Sequence, residues 1–256
     1  MKKIYIILTL ALAMLPGCRK QDTSLWQKVK AVPAIMENNG DYKFSAGVIS
    51  EQVLRNYLSR SITEAEYLHT SEYNVNGYWG TDDDKRMLLN IGAKFIGRSI
   101  YSWNREHLFK DESAGWIFDA KKKLQEYHEA DPDAIFQAAV FETVSTRVNE
   151  VEIPSYVFEA FGKPSEARTF RFTDICDEDG VYVNYWGTGT AVPDMSREEA
   201  QMFMYYMITK YIDIGCEAVH LGQVELMSSL GDSKQNYAGY VKLTNLVREY
   251  ARIHAR

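Results

Sequence analysis

The stretch Lys94-Phe95-Ile96-Gly97-Arg98-Ser99-Ile100-Tyr101-Ser102-Trp103 decides the fold class. Its β-branched and aromatic residues, unbroken by Pro or Asp, predict a strand. Just upstream, Thr81 precedes Asp82-Asp83-Asp84 and then Met87, Leu88 and Ile91. A capping hydroxyl, negative charge at the positive end of a helix dipole and apolar spacing together predict a helix, which Gly92 ends. Downstream, Trp116, Ile117, Leu124 and Tyr127 predict a helix over 114–128, which Asp131-Pro132 breaks. Residues 135–144 then predict a second strand. It is apolar on both faces until Gln137 and Glu142, as in a parallel sheet with helices on both sides.

The same alternation extends both ways. Residues 44–49 predict a strand, Ser50 caps a helix to about Arg60, Thr63 and Glu66 have capping-box spacing, and 69–80 reads as a loop. Beyond the second strand, Pro154 opens a short helix to Phe161. Apolar segments at 169–172 and 181–185 flank the turn dipeptide Asp179-Gly180 and predict an inserted β-hairpin over about 168–186. Asp174, Asp177, Glu178 and Asp179 lack calcium-loop spacing and read as an acidic surface turn. Ser196 and Glu199 box the start of a helix to Ile214, 217–225 predicts a strand, and 235–254 predicts a last helix. Strand and helix alternating four times predict an α/β fold with a parallel sheet and right-handed crossovers.

Composition excludes several classes. The chain has 256 residues with 46% hydrophobic and 25% charged, values that suit a packed core and not a disordered segment. Its net charge of −6 argues against a nucleic-acid partner.

The N-terminus reads as an address. Lys2 and Lys3, the apolar run from Ile4 to Leu15 and the small exit residues predict a signal peptide over 1–17. The run is shorter than the roughly 20 residues of a membrane span. Leu15-Pro16-Gly17-Cys18 resembles the lipobox of bacterial lipoprotein precursors. The resemblance implies cleavage before Cys18, acylation of that residue and a lipid-anchored place in the bacterial cell envelope. Residues 18–40 then form a tether, and 41–256 form one α/β domain. Cys176 and Cys216 have no metal-site spacing, and an envelope location permits either a disulfide or two buried thiols.

Two α/β architectures compete for 41–256. Neither G-x-G-x-x-G nor a P-loop follows the first expected strand, so a nucleotide-binding open sheet has no support and no cofactor is implied. A TIM-type barrel places polar functional residues where strands end. Here the strands end in Trp103-Asn104-Arg105-Glu106-His107, in Phe141-Glu142-Thr143 and in Gln223-Val224-Glu225. Single Glu residues at strand ends, with aromatic and Gln neighbours, resemble (β/α)8 glycoside hydrolases at the level of pattern, over roughly 44–250. The resemblance implies a carbohydrate ligand, with Glu142 and Glu225 as the catalytic acid and nucleophile.

Side-chain chemistry adds the rest of the candidate site. If their strands are neighbours, Glu142 and Glu225 could approach the ~5–5.5 Å separation of a retaining pair. Gln137, His220 and Gln223 suit sugar hydroxyls, and Glu106 and His107 lie at the same end. Trp103, with Trp79 and Trp186 from the loops Gly77-Tyr78-Trp79-Gly80 and Asn184-Tyr185-Trp186-Gly187, supplies ring faces. Each residue also has a bland reading: Glu142 and Glu225 paired with Arg98, Arg105 or Arg147, His220 as a core histidine, the aromatics as end caps. Four βα units make half a barrel, and roughly 210 residues fall short of the ~250 of a whole one. The expectation is a TIM-barrel-like fold that is incomplete as given, with a half-barrel that dimerises and an open sheet of four or five strands as the alternatives, and the oligomeric state is not legible.

Overall fold

The computed structural model describes residues 40–44, 48–70, 79–110 and 115–256. The expected signal peptide, Cys18 and tether residues 19–39 lie outside that set. In chain order the elements are α1 (Glu51–Ser59), β1 (Ser61–Thr63), α2 (Asp82–Asn90), β2 (Phe95–Tyr101), α3 (Gly115–Ala130), β3 (Ile135–Val140), β4 (Val144–Ser145), α4 (Ser155–Ala160), α5 (Phe172–Ile175), β5 (Thr190–Ala191), α6 (Glu198–Ile214), β6 (Ala218–Leu221), α7 (Val224–Ser229) and α8 (Ala238–His254). Short 3-10 turns occupy Glu106–Lys110, Thr146–Glu150 and Asp232–Gln235.

β1, β2, β3 and β6 form one parallel sheet in that order. The strand order follows the chain order without reversal. Successive crossovers in one direction, taken in the usual right-handed sense, lay their helices on one face. The packing agrees. Leu88 of α2, Trp116 and Leu124 of α3 and Phe203 and Tyr211 of α6 join Ile96, Ile100, Phe136, Ala138 and Val140 in one buried cluster.

The other sheet face is different. Among the described residues its N-terminal end is closed: Val53 and Tyr57 of α1 pack with Tyr42 on Ile135, flanked by Phe95 and Ala218. These are first residues of their strands. The Tyr57 hydroxyl pins the contact through the carbonyls of Tyr42 and Asp133. Farther up, the face carries polar groups. Gln137 Oε1 and Thr63 Oγ1 both lie against Gly97, and His220 shares a row with Ala139 and Tyr101.

β2 departs from a regular strand at its middle. The register slips between Ile96 and Ile100, and Arg98 sits at φ 55. The bulge turns two carbonyls toward the segment after β1. Arg98 O accepts from Glu66 N, and Ser99 O accepts from Leu68 N at 2.8 Å. This fixes the strand-end segment that carries Glu66 and His69.

Local chemistry explains the helix starts. Thr81 and Asp84 form a reciprocal capping box, so the Asp run serves the start of α2. α6 ends on Gly215 at φ 108, the left-handed position that favours glycine. Cys176 and Cys216 are free buried thiols, with burial pushing the Cys176 thiol up to about 12.

Residues 45–47 of the strand expected over 44–49 lie outside the described residues, and the strand that pairs with the start of β2 on that side is Ser61–Thr63. A three-residue strand carries too little pattern to be read. Residues 168–186 do not form a hairpin with each other: Thr169 bridges Glu152, and Val183 bridges Ala191. Asp179-Gly180 does turn, because Asp177 Oδ1 accepts from the amides of Asp179 and Val181. Finally, the strand expected over 217–225 stops at Leu221, and Glu225 falls in the first turn of α7.

Candidate functional site

The C-terminal ends of β2, β3 and β6 converge. Trp103 and Asn104 follow β2, Phe141, Glu142 and Thr143 follow β3, and Gly222 and Gln223 follow β6. Thr143 Oγ1 donates to Asn104 Oδ1 at 2.6 Å, which ties the first two ends together. Gln223 Nε2 donates to Glu142 Oε1 at 2.6 Å and ties in the third. Asn104 and Gln223 both hold positive φ, 56 and 28. Such backbone is costly for non-glycine residues and persists where surrounding structure imposes it.

Phe141 is the hub of the open face. Its ring meets Tyr101 at 5.1 Å, Trp103 at 5.5 Å and His220 at 6.1 Å, all edge to face. The Arg98 guanidinium lies over it at 5.9 Å. Trp103 also meets Trp186 at 5.5 Å, and Trp186 Nε1 donates to the Glu142 carbonyl at 2.9 Å. Thus a tryptophan from the long excursion after β3 is fastened to the strand end it covers.

Charge in this region is mixed. Glu142 is 4% exposed. One of its oxygens takes the Gln223 amide, while Oε2 has no hydrogen-bond partner among the described residues. That oxygen sits where a side chain at residue 222 would be, so Gly222 is required by close approach. The His220 imidazole is shifted down by burial first and by Arg98 second, with Glu142 acting the other way. It is therefore a neutral ring near pH 7, able to donate one hydrogen bond and accept another.

A second polar group closes the end of β1. The Tyr101 hydroxyl donates to Glu66 Oε1, and His69 Nδ1 lies 3.8 Å from Glu66 Oε2. His69 Nε2 faces the Tyr101 backbone. Burial drives His69 down to about 4.

The predicted residues divide clearly. Trp103, Trp186, His220, Gln223 and Glu142 come together as expected. Gln137 sits lower on the same open face. Glu106 does not offer its carboxylate to that face: it is 2% exposed and accepts from Ser145 N at 2.8 Å and Ser145 Oγ at 2.7 Å. His107 shares the 3-10 turn with it. Trp79 is 41% exposed, just before α2. Glu225 is an exposed residue of a helix and not a strand-end carboxylate. Phe141, Arg98 and Tyr101 were missed as site residues. Phe141 and Tyr101 carried a usable signal, since both stand at strand ends, whereas nothing in the sequence marks the left-handed Arg98.

Among the described residues, no group of His, Cys, Asp and Glu is arranged to hold a metal ion, and no helix is long and apolar enough to cross a membrane. A cleft of about 540 Å3 opens between α3 and α6. Three of its polar groups are paired, His128 and Arg256 with Glu217 and Asp213 with the Tyr250 hydroxyl. The strand-end face is the candidate because aromatic rings and polar side chains from three strand ends converge there. No protein-family model, curated protein or solved structure matches this chain.

Proposed function

We propose that the chain is a lipid-anchored protein of the bacterial cell envelope whose strand-end face binds carbohydrate. The observation that carries the reading is the Trp103–Phe141–Trp186 cluster, set beside His220, Gln223 and Arg98. Apolar C–H faces of a sugar pack on aromatic rings, while its hydroxyls need groups that both donate and accept. A neutral His220 and the Gln223 amide supply both roles.

The same reading takes the four strands as part of a (β/α) barrel. Its supports are the strand order without reversal, the helices on one face and the polar row on the other.

A second reading is hydrolysis with Glu142 as one catalytic carboxylate. One observation favours it: Glu142 Oε2 is buried and accepts no hydrogen bond among the described residues. Such an oxygen is left to accept from a bound ligand.

The test is binding of the full chain to an array of immobilised glycans, with Trp103→Ala and Trp186→Ala as variants. Binding that both variants weaken at least ten-fold is the expected result. Wild-type protein that captures no glycan would sink the proposal. Hydrolysis adds the expectation that Glu142→Gln binds but no longer releases reducing sugar.

A further inference from the structure

The loop over 181–187 exposes apolar groups that the core does not use. Tyr185 is 50% exposed, and Val181 and Val183 are also exposed. Exposure on a loose loop would mean little, but this loop is tightly built. Tyr182 and Asn184 both hold left-handed backbone, at φ 59 and 61. Asn184 N donates to Thr190 O at 2.6 Å, and Asn184 Oδ1 accepts from Gly189 N at 2.8 Å. Val192 N donates to Tyr182 O, and Thr190 Oγ1 donates to Gly187 O. Left-handed backbone at a tyrosine persists only where the surrounding structure imposes it.

The rings give the use. Tyr182 meets Tyr185 at 5.0 Å, Tyr185 meets Trp186 at 4.7 Å, and Trp186 meets Trp103 at 5.5 Å. Trp103 then meets Phe141, beside His220. The result is a continuous run of ring contacts from an exposed loop to the strand ends, each edge to face at 61–87°.

We infer that the 181–187 loop is an outer saccharide subsite, centred on Tyr185, so that the face takes an oligosaccharide and not a single sugar. The inference rests on the carbohydrate reading above and adds the size of its ligand. One sugar occupies the Trp103–Phe141 end, where His220 and Gln223 meet its hydroxyls. Further sugars run outward over Trp186 and Tyr185. The outer rings supply apolar area, so they add affinity with little selection among hydroxyl patterns.

The experiment is calorimetric titration of the full chain in detergent with linear glucose, xylose and mannose oligomers, each from one unit to six. Affinity is expected to rise with length in at least one series. Tyr185→Ala is expected to weaken the longer oligomers about ten-fold, equivalent to about 1.4 kcal/mol, and to leave the shortest bound form unchanged. Tyr185→Phe, which keeps the ring, should retain the wild-type length dependence. Equal affinity at all lengths, or loss in Tyr185→Ala that is the same at every length, overturns the outer subsite while the carbohydrate reading stands. Failure of every oligomer to bind overturns both.

Discussion

Gln223 holds Glu142: its Nε2 donates to Glu142 Oε1 at 2.6 Å, from a backbone at φ 28 and ψ 57. The bond joins the residue that starts α7 to the end of β3, across a buried carboxylate. Removing the amide leaves that carboxylate with neither oxygen bonded among the described residues. Gln223→Ala is therefore expected to destabilise the fold by about 1–3 kcal/mol, the cost of an unsatisfied buried polar group. In a Glu142→Leu background the same substitution should cost much less, because there is no acceptor left to satisfy. Urea denaturation of the two single variants and the double variant measures the coupling. Additive effects would show that the bond contributes nothing to stability.

Gly222 tests the same junction by shape. A Cβ there would overlap Glu142 Oε2 and stand 3.0 Å from Phe141 Cδ1 and 3.1 Å from Phe141 Cα. One of those neighbours is backbone and cannot swing away. Gly222→Ala should cost about 1–3 kcal/mol by overpacking. Gly97→Ala is the control: its Cβ would meet Thr63 Oγ1 at 3.3 Å, a side-chain atom that can give way. Thermal melts in which both variants unfold at the same temperature would contradict this account of the glycine.

Parts of this architecture were legible and parts were not, for physical reasons. β2 and β3 stood out because strands buried in a layered fold are continuous apolar runs. α2 was legible from Thr81 and its three Asp residues, since capping is local chemistry. β1 has three residues and takes its place through pairing with Phe95–Gly97, a long-range fact. Glu225 was misplaced because the turn after Leu221 is made by Gly222 and by Gln223 in left-handed backbone, and a single Gly reads equally well as a bulge within a strand. The site followed the same divide. The strand-end rule found Trp103, Glu142 and Gln223. The rings that complete the face depend on an excursion whose segments pair with Glu152 and Ala191 and not with each other.

His69 is expected to make stability depend on pH. Unfolded, the imidazole binds a proton near 6.5; folded, burial holds it down to about 4. Lys123 pushes the same way, while Glu66 and the Tyr101 backbone oppose it. Between those two values the unfolded chain binds more protons, so stability is lost as pH falls through the window. The full effect is about 3 kcal/mol. Denaturant midpoints taken from pH 7 to pH 4.5 should fall steeply for the wild type and less for His69→Gln, which cannot titrate. Equal slopes would mean that other groups govern the dependence.

Glu106 should respond in the opposite sense. Its carboxyl is raised above the usual carboxylate range, chiefly by burial, although the Ser145 amide and hydroxyl bonds pull it down. A raised folded value means that the folded chain keeps its proton longer. The associated stability is present at low pH and is lost as pH rises through the folded value. Glu106→Gln has no charge to bury, so its stability relative to the wild type should increase with pH above the ordinary carboxylate range. Glu106→Ala should lose about 2–4 kcal/mol at any pH, because it opens a cavity and leaves the Ser145 donors unbonded. These two responses separate a carboxyl that anchors β4 from one that serves a ligand. If Glu106→Gln instead loses stability steadily as pH rises, the charged form is the one the fold requires, and the burial argument is wrong.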